Sequence, residues 1–367
     1  MKILDWYIIK KFLSTFFFSM LLFVVITLVI DISEKTDDFV KSGLPASQIF
    51  VQYYLGFIPH MMAMLFPLFV FIAVIFFTSK MAGNTENIAI LASGVSFNRW
   101  LKPYFIGGLF LALLLWIASM FLIPNANKKR TAFDLKYLDA NSSYEKTINI
   151  VNNRGNSMYL KIDSFSYAII NNYDTATKSS NGANIFRIKD DKVYENIKID
   201  KLHWDSKTKT WLIDNVVKRN IDTLKEQLTQ QANSKLITAL TPPDLLRGKY
   251  TKDILTTPQL QRFIDLEKTK GSENISELMV EYGRRMATPV SVIILTIMGA
   301  VVAGRKVRGG SGSNLAMGFV TAALFILADK FSTIFATKGD LHPYIAVWIP
   351  NTIFSFVVLY LYKKAPK

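Results

Sequence analysis

The sequence predicts an α-helical membrane protein with six transmembrane helices and an inserted all-β, jellyroll-like domain outside the cytoplasm. Half of the 367 residues are apolar, and six long windows contain no Asp, Glu, Lys or Arg. Each window approaches or exceeds the ~20 apolar residues that cross a bilayer. The windows are 12–30, 55–79, 103–127, 286–304, 311–328 and 341–362. A long polar block between the third and fourth windows provides the inserted domain.

The first window is expected to form a helix that is not removed as a signal peptide. It follows a basic segment and is longer than the apolar core of a usual signal peptide. The residues after it, DISE at 31–34, do not form a small-x-small cleavage site. The fifth window begins with Gly and Ser residues, so we expect its helix to continue through Asp329 to about Phe335.

The Lys and Arg residues in the short segments between windows predict the orientation of the chain. The segments on the side of both termini hold twelve of these residues, and the short segments on the other side hold three. The first set is 1–11, 79–102, 303–314 and 363–367, and the second is 33–54 and 336–343. Because short cytoplasmic loops carry the excess of positive charge, we expect both termini in the cytoplasm.

The polar block divides the chain into three regions. We expect residues 1–127 to hold the first three transmembrane helices, 128–281 to form the extracytoplasmic domain, and 282–367 to hold the last three helices. No internal repeat relates the first region to the third.

Short patterns within the block predict its secondary structure. Apolar residues alternate at 158–163 and at 193–199, and a similar run at 211–217 follows a turn-like segment, which predicts strands. The segment 171–184 contains Asn-Asn, Ser-Ser and Asn-Gly pairs and is predicted to be a loop. A helix is predicted for 257–271, because Thr and Pro begin this segment and Gly ends it.

Basic residues also lie near the predicted extracytoplasmic ends of the helices, where the positive-inside rule disfavours them in short loops. The informative ones include Lys35 and Lys41 after the first window and Lys330 in the fifth helix. They could bind the phosphates of an anionic lipid, or they could snorkel and form exposed ion pairs. Asp329 lies deep enough in its helix that we expect it to face a bundle interior or a cavity.

The segment 84–98, between the second and third windows, is predicted to be a short amphipathic helix on the cytoplasmic side. Asn84 can cap it, Glu86 lies in its first turn, and Ile88 and Leu91 lie on one face. The segment has too few basic residues to bind a membrane surface well. Docking in a groove of a cytoplasmic partner fits it better, and the alternative is a loop folded on its own protein.

The sequence offers little basis for enzymatic chemistry. The segment 304–313 is glycine-rich and basic, but it lacks the Gly-Lys-Ser/Thr that opens a helix in a phosphate-binding loop. The three histidines are far apart, and the chain has no cysteine. We therefore expect no catalytic residue, no cofactor, no metal site and no nucleic-acid partner, and we expect any ATP hydrolysis to belong to a separate subunit.

Four segments resemble the inner-membrane permeases of the lipopolysaccharide export transporter, the YjgP/YjgQ (LptF/LptG) family. They are MKILDWYIIKKFL at the start, ENIAILASGVS at 86–96, IPNAN at 123–127 and WIPN at 348–351. The similarity runs over the full length of the chain, including the inserted domain.

The resemblance implies an ABC transporter permease in the inner membrane that pairs with a second permease of the family. A dimer of a cytoplasmic ABC ATPase would drive the pair. The segment 84–98 would be the coupling helix in a groove of the ATPase, with Glu86, Leu91, Ser93 and Gly94 as its contact residues.

The resemblance further implies that lipopolysaccharide enters laterally, between the first helix of one permease and the fifth helix of its partner. The extracytoplasmic domain would pass the lipid to a periplasmic bridge protein. Lys35 and Lys41 would contact the headgroup, and Arg130 and Arg285 are carried over to the same role. Lys330 joins them by its position in the fifth helix.

Two other classes of function remain open. A membrane scaffold could use the same domain to dock envelope proteins without transport. A membrane enzyme acting on lipid would depend on groups such as His60 or Asp329.

Overall fold

The computed structural model divides into two compact units, which are described separately. The first comprises Met1–Leu138, Lys252–Gln261 and Ser276–Lys367, and the second comprises Asp139–Thr251 and Arg262–Ile275. The residues that the structure describes are 3–134, 137, 157–162, 165–171, 173–174, 177–189, 192–205, 208, 210–221, 226–232, 234–236, 251–270, 275–304 and 310–364.

The first unit contains six helices that are long and apolar enough to cross a membrane, as the sequence predicts. They are α1 (Ile3–Lys41), α2 (Ala46–Gly83), α4 (Phe97–Phe133), α7 (Ile275–Ala303), α8 (Gly310–Lys338) and α9 (Pro343–Lys363). The short helix α3 (Glu86–Ala92) lies between α2 and α4. Two further short helices, α5 (Thr251–Ile254) and α6 (Thr257–Lys270), precede α7. The fifth long helix continues past Phe335 as expected.

An even number of spans places both termini at one end of the helix bundle. We call this the termini end, and it includes α3 and the start of α1. We call the opposite end the insertion end, because the chain leaves the bundle there after α4 and returns through α5 to α7.

Helix α7 lies in the centre of the bundle, where glycines allow neighbouring helices to approach closely. A Cβ atom on Gly107 of α4 would lie 2.8 Å from the ring of Phe12 in α1. On the adjacent Gly108, it would lie 2.9 Å from the Oγ1 atom of Thr296 in α7. Small residues at such contacts replace the hydrophobic driving force that is missing between helices in lipid. The pair therefore lets α1 and α7 pack on opposite sides of α4.

The long helices differ in how regular they are. Helices α2 and α4 each contain a π turn, at Phe50–Tyr54 and Ala118–Leu122. Pro124 follows the second turn and cannot donate a hydrogen bond to the carbonyl of Met120, which accounts for the widened turn there. Proline also lies inside α7 and α9. Helix α1, with 39 residues, contains neither proline nor glycine.

The second unit contains an antiparallel nine-stranded sheet within the described residues, which confirms the inserted β domain. The strands are β1 (Ser157–Lys161), β2 (Ser166–Asn171), β3 (Tyr173–Asp174), β4 (Ser179–Ser180), β5 (Ala183–Lys189), β6 (Lys192–Asp205), β7 (Thr210–Ile221), β8 (Glu226–Gln231) and β9 (Ser234–Leu236). The three predicted strands correspond to β1, β6 and β7. The predicted loop at 171–184 instead contains the short hairpin β3–β4.

The long strands β6 and β7 each belong to two halves of the sheet. One half of β6 pairs with β5 and the other half pairs with β4, and β7 likewise pairs with β8 and β9. Asn215 lies in β7 between the two halves and has a φ of 48°, in the left-handed region that asparagine tolerates. The two halves enclose a core that includes Trp211, Ile170 and Ile199.

Candidate functional site

The bundle of the first unit contains a cavity of about 440 Å³ that is apolar on one part of its wall and charged on another. Leu68, Leu115, Leu295 and Phe325 contribute to the apolar part. The charged and titratable side chains that line it are His60, Lys252, Asp253, Glu281, Arg284, Arg285, Asp329 and Lys330. An amphiphile with an acyl chain and a charged headgroup matches this division of the wall.

An ion pair joins α7 to α8 in the cavity wall. The guanidinium of Arg284 donates to the carboxylate of Asp329 at 3.1 Å and to the hydroxyl of Thr333 at 2.7 Å. Both charged side chains are about one-third exposed. Asp329 thus lines the cavity, where the sequence predicts an ionisable residue. Arg284 was among the rim cations in the sequence but not among the predicted headgroup ligands.

Arg285, the next residue, has a different role in the structure. Its side chain is buried and donates to the carboxylate of Glu281 at 3.1 Å. It also donates to the backbone carbonyls of Leu255 and Lys252, at 2.8 and 2.9 Å, and to the hydroxyl of Thr257. Arg285 therefore holds the segment that returns to the bundle, and most of its donors already have protein partners.

The remaining titratable groups of the cavity include one predicted ligand. The Lys330 side chain is exposed and lies next to the Arg284–Asp329 pair. Asp253, in α5, is partly buried, and this burial raises the pKa of its carboxyl, although Lys252, Arg285 and Arg130 lower it in part. A neutral Asp253 costs less to bury than a charged one.

A second group of charged residues lies at the insertion end between α1, α2 and α4. The buried carboxylate of Asp31 accepts hydrogen bonds from the ammonium of Lys35 at 2.9 Å and from the hydroxyl of Tyr53 at 3.1 Å. Lys35 also donates to the Tyr53 hydroxyl. Its ammonium lies 4.5 Å from the Tyr53 ring centre and 5.6 Å from that of Phe57, within the range of cation–π attraction.

The structure brings two of the predicted headgroup ligands together around Phe57. The guanidinium of Arg130 lies 5.6 Å from the centre of the same ring that Lys35 contacts, and it pairs with Asp134 at 3.4 Å. Lys41 is exposed at the C-terminal end of α1. Lys35 and Arg130 therefore form one cluster.

At the termini end, α3 is shorter than the predicted helix at 84–98. It ends at Ala92, because Gly94 has a φ of 86° and turns the chain before α4 begins. Asn84 does not cap the helix. Its amide donates to a Glu86 carboxylate oxygen at 3.2 Å, and the hydroxyl of Tyr7 donates to the other carboxylate oxygen at 3.3 Å.

The predicted contact residues of α3 divide into two groups. Leu91 is half-buried and packs against the core of the bundle, so it anchors the helix. Ser93 and Gly94 are exposed, as is Ile88. Glu86 is partly exposed.

Sequence reasoning missed Asn87, whose side chain is almost fully buried. Its amide donates to the carbonyls of Thr78 in α2 and Gly304 after α7, at 3.3 and 3.4 Å. The missed signal was a polar residue on the apolar side of a predicted amphipathic helix. Among the described residues, no three His, Asp or Glu side chains lie in position to hold a metal ion.

A family model described as the lipopolysaccharide export system permease LptF/LptG matches residues 6–364. The match covers both the helices and the inserted sheet. No curated protein matches the sequence.

Proposed function

The chain belongs to the LptF/LptG family of lipopolysaccharide export permeases, and we propose that a separate cytoplasmic ATPase drives it to extract lipopolysaccharide from the outer leaflet of the inner membrane. In this proposal the chain supplies the path for the lipid, and the ATPase supplies the energy. The extracted lipid passes to a periplasmic bridge protein.

The cavity between the long helices is the observation that carries this proposal. Its apolar wall can cover part of an acyl chain, and its charged wall can pair with headgroup phosphates. Each methylene withdrawn from the bilayer costs about 0.8 kcal/mol unless another apolar surface covers it. An apolar cavity therefore offsets much of the cost of extraction.

The charge distribution supports an orientation with both termini in the cytoplasm. The segments at the termini end carry most of the Lys and Arg of the short connections. In this orientation α3 faces the cytoplasm, and the Lys35–Arg130 cluster lies at the outer leaflet. Headgroup phosphates at that depth would meet Lys35, Arg130 and Lys41 first, and Arg284 and Lys330 deeper in the bundle.

Helix α3 is our proposed contact with the ATPase. Ile88, Ser93 and Gly94 provide an exposed surface, and Glu86 provides an acid at the first turn. Leu91 and Asn87 fix the opposite side of the helix to the bundle. A push on the exposed surface would thus reach the long helices.

The test is to replace Glu86 by Lys in the permease assembled with its ATPase and a second permease in liposomes that contain lipopolysaccharide. We expect ATP hydrolysis to lose its coupling to lipid release, because the charge reversal removes the acid from the contact. The matched control is Asp37→Lys, an exposed acid at the insertion end, which should release lipid normally.

Normal release by Glu86→Lys would contradict the coupling role of α3. Failure of the purified permease to bind any ATPase, with the sheet still able to bind envelope proteins, would instead favour a scaffold. Mass spectrometry of the co-purified lipid identifies the substrate independently of both results.

A further inference from the structure

The polar contacts of α1 at the termini end have no role in the proposed function so far. Asp5 is 6% exposed, and its carboxylate accepts a hydrogen bond from the guanidinium of Arg99 at 2.8 Å. Arg99 lies in the first turn of α4, after the α3 loop. Two residues further along α1, the hydroxyl of Tyr7 donates to Glu86 at the start of α3.

These two contacts hold α1 on both flanks of the proposed coupling helix. Glu86 is the first residue of α3, and Arg99 follows the turn that ends it. The segment between them cannot shift far without either moving the start of α1 or breaking the contacts. Helix α1 has no proline or glycine at which it could bend and so avoid the shift.

The two contacts differ in strength. Asp5 is buried, so loss of Arg99 would leave a buried carboxylate without its charged partner, which is strongly unfavourable. The Tyr7–Glu86 bond is exposed and longer, and water can replace it. The Asp5–Arg99 pair is therefore the stronger of the two connections.

We propose that Asp5 and Arg99, assisted by Tyr7, are positioning residues that fasten α1 to the α3 loop, so that the coupling helix moves α1 directly. This proposal rests on the proposed function, because it needs α3 to be the element that the ATPase moves. By contrast, α2 and α7 are connected to α3 through the neutral amide of Asn87. Helix α1 thus receives the motion through a charged pair.

The natural absence of cysteine allows a sharp test. We expect Asp5→Cys/Arg99→Cys to break the pair and to lower the amount of lipid released per ATP hydrolysed by about five- to tenfold, the size of a typical coupling between sites. A short bifunctional maleimide that bridges the two cysteines should restore the ratio. Each single-cysteine variant, treated with the same reagent, is the control.

Lipid released per ATP is a measurement that a merely structural role would not restore on bridging. Thermal unfolding of each variant checks the fold, and Arg99→Lys, which keeps the charge, should retain most of the coupling. If the double variant does not fold, Asp5→Asn replaces it, with the same loss expected. An unbridged variant with the wild-type ratio, or a bridged variant that stays uncoupled, overturns the proposal.

Glu86→Lys, measured in parallel, separates this proposal from the proposed function. If Glu86→Lys couples normally, the role of α3 itself fails. If Glu86→Lys uncouples while the Asp5–Arg99 variants couple normally, only the fastening of α1 fails.

Discussion

Arg284 and Asp329 join α7 to α8 across 3.1 Å in the wall of the cavity. The adjacent Arg285 instead faces α5 and the segment that follows it, and is buried. Two neighbouring arginines thus serve different surfaces of α7, and their variants should have different effects.

We expect Arg284→Gln to lower the amount of lipopolysaccharide that co-purifies with the permease several-fold. The change removes a cation from the charged wall, and a partly exposed pair contributes only about 0–1 kcal/mol to stability. Thermal unfolding should therefore change little. Mass spectrometry of bound lipid per protein measures the effect, and unchanged lipid content would contradict the role of Arg284.

We expect Arg285→Gln to destabilise the first unit, by about 3–5 kcal/mol, the range found when one partner of a buried charged pair is removed. The substitution leaves Glu281 and two backbone carbonyls without their donor. A lower unfolding temperature in detergent, with only partial recovery in Arg285→Lys, is the expected result. Equal unfolding temperatures for wild type and Arg285→Gln would show that the contacts are unimportant.

Asp31→Asn should strengthen lipid binding, because the charged partner of Lys35 is lost while the side-chain shape and the Tyr53 hydrogen bond are kept. Lys35 would then pair with a headgroup phosphate at lower cost. Lys35→Gln is the opposite variant and should weaken binding. Retention of a labelled lipopolysaccharide during washing measures both, and a loss of retention in Asp31→Asn would reverse our assignment.

Gly108→Ala should destabilise the bundle by about 1–3 kcal/mol, the usual cost of overpacking. The added methyl group would meet Thr296 at 2.9 Å, and both residues lie inside packed helices. Gly83→Ala is the control, since no atom lies within 4 Å of its added methyl group. Thermal unfolding of the two variants should differ clearly, and equal effects would contradict the close packing of α4 on α7.

Single cysteines should report the orientation. We expect Ser93→Cys to react with a membrane-impermeant maleimide only after cells are opened, and Lys41→Cys to react in cells whose outer membrane alone is permeable. Both positions are exposed, and wild type provides an unreactive background. Reaction of Ser93→Cys from the periplasmic side would overturn the whole arrangement of the proposed function.

The membrane fold could be predicted because its signal is local. Each span is a run of uncharged residues, and lipid offers the backbone few alternatives to a helix. The sheet was less accessible, since the pairing of β6 with both β4 and β5 depends on contacts between distant residues. The turn at Gly94 was missed because an apolar pattern continues past it to Val95.

The site was predicted in composition but not in pairing. Lys35, Arg130 and Asp329 were identified from their charge near the ends of the helices, which requires no fold. That Arg285 is consumed by the backbone of the returning chain depends on tertiary packing. The same is true of Asp5 and Arg99, which are 94 residues apart and meet only when α1 packs beside α4.

The uninterrupted length of α1 has a mechanical consequence. At 1.5 Å per residue its 39 residues extend about 58 Å, nearly twice the ~30 Å thickness of the hydrocarbon layer. A rod of that length, pivoting near one end by about 5°, would displace its far end by about 5 Å. Small movements beneath the membrane would thus become large ones above it, where Lys35 and Lys41 are carried.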